Sequence, residues 1–345
     1  MVRKLFAICA VAALLAFPSV QSSRAATTSI VWDDFQNGFT VNAADAKWFY
    51  FSAPPYVGDD GIVTTSSAGL RVISSGVNPT TGKPAFVRTL GQEVANGGLP
   101  GGLDHVKWLA YMNHQSSSGY PGFDAPTTGE LVCESWISGR SYGVGEHPFG
   151  DAVRNPNDDL RLGSVAMNSI DFDTFMVFDF FLTNKGIYAF YERLPFARGT
   201  YGNYAAFSFQ IPIAARRPGD IHHLKLAYDK SAGTVRWLIN NKEVYRVSNI
   251  GYRIDRKFMT IDHGGVEGPV SPNQLNCGMG MFTLLDGYKP SDQALVRLSD
   301  ADNFYFNPTL GEPSPQTFVD NASLDSSRLF GQGAELRMVK YQVSY

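Results

Sequence analysis

Cysteine is scarce in this chain. There are three in 345 residues, with no Cys-x-x-Cys and no pair of histidines four apart, so a zinc site lacks its usual ligand spacing. Charge is scarce as well. Asp, Glu, Lys and Arg together make up 18% of the residues, the formal net charge is −3, and no block of Lys or Arg occurs. Nucleic acid and anionic membrane surfaces are therefore poor partners. No apolar run approaches the ~20 residues that cross a bilayer, and amphipathic helical periodicity is missing. What is present is turn chemistry and strand chemistry: 34 Gly, 19 Pro, 24 Phe and 16 Tyr in a chain that is 44% hydrophobic. That is enough apolar material for a large core and excludes intrinsic disorder. Turn signals recur roughly every 8–12 residues from Thr28 to Tyr345, the pattern of an all-β domain.

The N-terminus has its own character. Arg3 and Lys4 precede an apolar stretch from Leu5 to Phe17, and a polar run then ends in Ser23-Arg24-Ala25-Ala26. A positive segment, a short apolar segment and small residues before Ala26 predict a signal peptide over residues 1–25 and an exported protein, extracellular or periplasmic. Without twin arginines, the general secretory route is expected. Cys9 leaves with that segment. Cys133 and Cys277 remain, each in an apolar strand-like run. They read equally well as one disulfide between neighbouring strands or as two buried thiols.

The firmest local prediction is a three-stranded antiparallel meander. Asp220–Asp229 alternates, with Leu224, Leu226 and Tyr228 on one face and His223 and Lys225 on the other. A turn over 229–233 leads to Thr234–Ile239, where Val235, Trp237 and Ile239 share a face. Asn240-Asn241-Lys242 is a hairpin turn, since Asn tolerates positive φ, and Glu243–Val247 follows. This unit resembles one found in the concanavalin A-like lectin/glucanase superfamily, which often runs Trp-His-x-Val, Tyr-Asp, Gly, Val-x-Trp-x-Val-Asp-Gly. Here Ile221 takes the tryptophan position and Asn241-Lys242 replaces Asp-Gly. Trp32-Asp-Asp-Phe35 and Ala334–Ser344 look like that superfamily's first and last strands, which lie side by side. The whole chain is also similar to an uncharacterised family of exported bacterial proteins. The resemblance implies an all-β, concanavalin A-like jelly-roll β-sandwich filling residues 26–345 as one domain, a glycan as partner, and a carboxylate-lined concave sheet. A monomer is expected.

The superfamily's glycosidases use Glu-x-Asp-x-x-Glu on one strand, and this motif is absent. Candidate catalytic carboxylates are instead Glu134, in Glu130–Trp136, and Asp171 and Asp173, in Ile170–Phe175. His263, in Asp262-His263-Gly264-Gly265, is a candidate general base. Trp136, Arg140, Tyr188, Glu192 and Trp108 are candidate substrate-binding residues. Parity puts Glu134 with Trp136, Asp171 with Asp173, and Tyr188 with Glu192. The prediction is a groove built from strands 130–140 and 170–192, where acids and rings meet and like charge raises one carboxyl toward a general acid. Each residue also has an ordinary structural reading. Glu134 inside an apolar run needs an ion-pair partner such as Arg140 or Arg161, the aspartates fit a half-solvated strand, and His263 fits a capped turn.

Three motifs fail on context. Gly139-Arg-Ser-Tyr-Gly143 matches a nucleophile elbow, but Pro148 and further glycines follow where a helix is required. Gly76–Lys83 is one residue too long for a P-loop. Asn155–Asp159 and Asp300–Asn303 are oxygen-rich without the EF-hand glycine and distant glutamate, which leaves a single structural calcium at a loop rim as the only cofactor expectation. The functions in play are glycan recognition with hydrolysis, glycan binding without chemistry, and isomerisation or cyclisation of a small hydrophobic metabolite.

Overall fold

A computed structural model describes residues 28–289 and 293–345; the signal-peptide assignment and Cys9 lie outside the described residues. Two antiparallel sheets are stacked, and the helices described are single turns such as Arg198–Tyr201 and Asp325–Arg328. None of them is long or apolar enough to cross a membrane. The larger sheet has nine strands. Eight run in the order Met259–Asp262, Phe207–Ala215, Gly186–Arg193, Met176–Leu182, Gly163–Ile170, Gln274–Thr283, Val106–Met112, Trp48–Tyr50, and Phe123–Asp124 adds beside Gln274–Thr283. The smaller sheet has eight strands. Seven run Lys242–Val247, Thr234–Ile239, His222–Asp229, Leu131–Tyr142, Gly333–Ser344, Gly69–Ile73, Ile62–Ser66, with Ser29–Asp33 also on Gly333–Ser344. This is the jelly-roll sandwich expected.

Both sequence anchors of that fold hold. The meander forms at 222–247, and Asn240 and Asn241 take φ values of 52° and 63°, which close the two-residue hairpin. First and last strands pair, with Ser29 opposite Ser344. The core is the layer between the sheets. Phe178, Phe180 and Tyr191 from the larger sheet meet Tyr228 and Trp237 from the smaller one, all essentially without solvent exposure.

Cys133 and Cys277 form a disulfide with Cα atoms 5.9 Å apart. It does not join neighbouring strands. Cys133 lies in the smaller sheet and Cys277 in the larger, so the bond crosses the core and ties the layers together. Strand-like surroundings say that a cysteine points inward; they do not say which sheet faces it.

Candidate functional site

Because side chains alternate along a strand, residues flanking the core positions of the larger sheet point away from the smaller one. Phe178 and Phe180 enter the core, so Val177, Asp179 and Phe181 face out. The neighbouring strand turns Tyr188, Phe190 and Glu192 the same way, with Val177 opposite Glu192 and Asp179 opposite Phe190. Asp179 and Glu192 are therefore diagonal neighbours on adjacent strands. Beside them come Asn168 and Ile170 on one side and Ser208 on the other. The 100–105 loop, the 51–53 segment, the 194–196 turn and Phe304 rise around this face and enclose a cleft of about 410 Å³. Its walls are largely hydrocarbon, including Phe51, Phe172, Phe175, Phe181, Phe190 and Phe282.

Glycine makes room on the cleft floor. In Cys277-Gly-Met-Gly-Met281, Cys277, Met279 and Met281 fill the core while Gly278 and Gly280 face outward. A Cβ on Gly278 would sit 2.5 Å from the Tyr111 ring and 2.7 Å from the Ala110 carbonyl oxygen. Gly278→Ala should accordingly cost about 1–3 kcal/mol in denaturant unfolding and displace Tyr111 from the floor.

The polar groups of the cleft are few and perturbed. Burial pushes the Glu192 carboxyl up to about 7, against the hydroxyl of Ser208, which donates to its Oε1, and the positive charge of His105. Burial raises Asp179 well above the ordinary carboxylate range, although its oxygens accept from Asn168 Nδ2 and the Ser169 amide, each at 2.7 Å. At the far end His105 Nε2 pairs with Asp286, whose other oxygen accepts from the Tyr305 hydroxyl at 2.6 Å. Burial pulls His105 down, but the charge and hydrogen bond of Asp286, with the charges of Glu192 and Asp104, together outweigh it and hold the ring above its usual value. His263 behaves oppositely. Burial lowers it to about 4, and its Nδ1 donates to the Phe304 carbonyl at 2.6 Å, so the ring is neutral with Nε2 unprotonated. One acid poised near neutrality, one neutral imidazole and one histidine–carboxylate pair can give and take protons between largely hydrocarbon walls.

Of the residues proposed from sequence, this cleft brings together Glu192 and His263. Tyr188 shares the face, but its hydroxyl donates to Asp158 at 2.8 Å, beyond the cleft. The others do not assemble there. Asp171 and Asp173 are not on a strand; they form the turn between Gly163–Ile170 and Met176–Leu182. Asp171 is a turn cap, accepting from the amides of Asp173 and Thr174 and from Thr174 Oγ1 at 2.6 Å. That turn holds Phe175 at φ 54°, a strained conformation for a bulky side chain that sets its ring on the cleft wall. Asp173 accepts the Tyr201 hydroxyl on the outside. Trp108 is a core residue without exposure.

The strand pair 130–140 and 170–192 does not build one groove, because Leu131–Tyr142 belongs to the smaller sheet. Glu134 and Trp136 face outward on the opposite side of the sandwich. Glu134 is held by His223 at 2.7 Å and Lys225 at 3.0 Å, neither Arg140 nor Arg161. Trp136 is covered on its faces by the stacked His223 ring and by Lys340 Nζ, which leaves no open platform for a sugar. Arg140 is exposed on the same outer face, beside Glu335 and Arg337. We expect Glu134→Gln to leave turnover within twofold of wild type in any assay that Glu192→Gln abolishes. Asp159 of the first oxygen-rich loop pairs with Arg161 at 2.7 Å, and no group of three or more His, Cys, Asp or Glu among the described residues is placed to hold a metal.

Sequence reasoning missed Asp179, Asn168, His105 and Asp286. Asp179 had a signal, a lone carboxylate inside the apolar run Met176–Leu182. His105 and Asp286 had none, being 181 residues apart on separate loops.

A family model matches residues 32–345. The chain belongs to a family of unknown function, DUF6081. Among curated proteins this DUF6081 member is similar to uncharacterized protein L829 of Acanthamoeba polyphaga mimivirus, 29% identical over 400 residues that span 88% of this chain and 85% of the viral one. Among solved structures it is similar to the apo Crh5 transglycosylase (10% identity, TM-score 0.38, 92% of this chain and 84% of that one). It is also similar to alginate lyase A1-II′ of polysaccharide lyase family 7 (8% identity, TM-score 0.37, 85% and 84%). Both are, by their names, carbohydrate-active enzymes. The chemistry of the DUF6081 cleft has to come from its own residues.

Proposed function

We propose that this protein is an enzyme that moves a proton on a small molecule held in the cleft, with Glu192 as the acid and base. The observation that carries this reading is a carboxyl and a neutral imidazole, Glu192 and His263, lining one largely hydrocarbon cleft, whose burial pushes the carboxyl up to about 7. At neutral pH such a group is present in both forms, the condition in which a general acid–base works best. An isomerisation by proton shift, or a ring closure started by protonation, needs one group to give a proton and one to take it. Glu192 gives, and His263 Nε2 or Glu192 itself takes. The His105–Asp286 pair stands beside them at the far end of the cleft. The N-terminal segment supports export, so the reaction would run outside the cytoplasm.

A second reading, glycan cleavage, is favoured by one arrangement: Asp179 and Glu192 lie diagonally on adjacent strands of one sheet face, two carboxyls on one cleft floor, and glycosidases work with a pair of carboxyls. One experiment separates the two. Wild type and Glu192→Gln are incubated in D2O with ring alkenes, allylic alcohols and epoxides, and in parallel with alginate, chitin and β-glucan. Deuterium in a small-molecule product, lost in Glu192→Gln, is the expected result. New reducing ends from a polysaccharide, lost in Glu192→Gln and Asp179→Asn, would establish glycan cleavage. Turnover that is equal in wild type and Glu192→Gln would sink both.

A further inference from the structure

The outer face of the smaller sheet, on the side of the sandwich away from the cleft, carries a charge cluster that the acid–base chemistry does not use. Ile137 and Leu336 point into the core, so the residues at odd spacing from them on Leu131–Tyr142 and Gly333–Ser344 point out. Arg140 lies directly opposite Glu335, and Arg337 lies directly opposite Arg71 on the next strand. Three arginines thus surround one carboxylate, in a chain whose formal net charge is −3. Like charges set opposite each other on a ladder cost stability, so packing alone gives no reason to gather them.

Glu335 cannot neutralise all three. Its Oε1 accepts from Arg71 Nε at 3.0 Å and from Arg337 Nε at 2.6 Å, and its Oε2 accepts from Arg71 Nη2 at 3.1 Å and from the Tyr142 hydroxyl at 2.8 Å. A carboxylate offers about four acceptor positions, so these bonds fill it. Against its burial, the hydrogen bonds from Arg71, Arg337 and Tyr142 pull the Glu335 carboxyl down to about 2, the mark of surroundings that favour negative charge. Arg140 is left over. It is exposed, and it has neither a hydrogen bond nor an ion pair among the described residues.

Arg140 and Arg337 are diagonal neighbours on the ladder, and both line a groove of about 450 Å³ whose sides are the turn at Ala68 and the loop carrying Gly219 and Ile221. Ile221 and Val339 also line it, at 59% and 39% exposure, and set hydrocarbon beside the guanidinium groups. A guanidinium with its N–H groups free grips the oxygens of a carboxylate or sulfate bidentately, and the hydrocarbon suits the apolar face of a sugar ring. Positive charge continues along the same outer face at Lys340, which lies over the Trp136 ring and has no carboxylate partner among the described residues. A cationic strip longer than one ion matches an extended polyanion. We propose that this groove binds an acidic polysaccharide through its oxyanion groups, with Arg140 making the bidentate contact and Arg337 and Lys340 flanking it. A polysaccharide held here leaves the cleft, on the opposite side of the sandwich, open.

The test is affinity electrophoresis of the full chain through gels holding polygalacturonate, dextran sulfate or neutral dextran, at about 20 mM salt, where exposed charges are weakly screened. Wild type should be retarded by one or both acidic polymers and not by dextran, and added salt should release it. The polymer that retards it tells whether carboxylate or sulfate is the group bound. Arg140→Gln should weaken the binding about tenfold, the loss of one charge-assisted pair. Its urea midpoint should equal that of wild type, because Arg140 has no partner in the fold. Lys257→Gln removes the same charge from an exposed position before Met259–Asp262, outside the groove, and should bind as wild type does. Passage of wild type unretarded through both acidic polymers, or equal weakening in Arg140→Gln and Lys257→Gln, would overturn the proposal. So would equal retardation by single-stranded DNA, which marks a general polyanion surface, or binding of free sulfate or galacturonate as tight as that of the polymers, which marks a small-anion site. None of these readouts involves the cleft, so the result stands or falls separately from the role of Glu192.

Discussion

Glu192→Gln should lower turnover by about 10²- to 10⁴-fold, the usual contribution of a positioned proton donor, and should change the pH dependence of folding stability in a defined direction. In the fold, burial lifts this carboxyl to about 7, against 4.5 for an ordinary glutamate. A raised carboxyl favours the neutral form, so its contribution is fully present below pH 4.5 and is lost as pH climbs through 7. Wild type therefore loses stability relative to the glutamine variant across that window, by on the order of 1–3 kcal/mol, since the side chain faces the cleft and water relieves part of the cost. Urea unfolding at pH 4.5 and pH 8 measures it. The difference between variant and wild type should swing toward the variant at the higher pH; a constant difference would mean that Glu192 titrates as a normal glutamate. Asp179 is raised by its own burial in both proteins; the Glu192 charge raises it further in wild type alone, which adds to the wild-type loss in the same direction.

The second large effect concerns the bond between the layers. Cys133→Ala/Cys277→Ala should lower stability by about 4–5 kcal/mol on the loop-entropy account, because the bond closes a loop across 144 residues. Both cysteines are without exposure, so dithiothreitol should leave the folded protein oxidised and act only as it unfolds. The check is the urea midpoint of wild type with and without reductant against that of the double variant. Reduced wild type and the double variant should coincide. A midpoint unmoved by either would show that apolar packing between the sheets already holds them.

Much of the architecture was legible because it is written locally. Alternation at 222–229 and 234–239, with two asparagines able to take positive φ between 239 and 242, allows little besides a meander. The pairing of the first and last strands was readable only through resemblance, since nothing in Ser29–Asp33 names Gly333–Ser344 as its partner. The candidate site was legible in fragments. Parity along Gly186–Arg193 puts Tyr188 and Glu192 on one face, and this the structure bears out as geometry. Parity along Leu131–Tyr142 is equally sound for Glu134 and Trp136, yet the face they share is on the other sheet, on the side of the sandwich away from the cleft. Period-two alternation fixes which residues share a face and is silent on which sheet that face belongs to. The Asp171–Asp173 pair failed for another reason: a carboxylate followed by Phe-Asp-Thr-Phe reads as a strand, whereas Asp171 uses its oxygens to cap a turn.

The sequence by itself determined the all-β class, the strand faces, the hairpin at 240–241 and an inward-pointing cysteine pair, because each depends on side chains within a few residues of one another. Only the tertiary structure decided that the two cysteines belong to opposite sheets, that Glu134 is neutralised by His223 and Lys225, and that Glu192 shares a cleft with His263, His105 and Asp286. Those outcomes depend on strand order and on loops that are distant in the chain. The perturbation of Glu192 depends further on burial, a property of the assembled walls that no single segment carries.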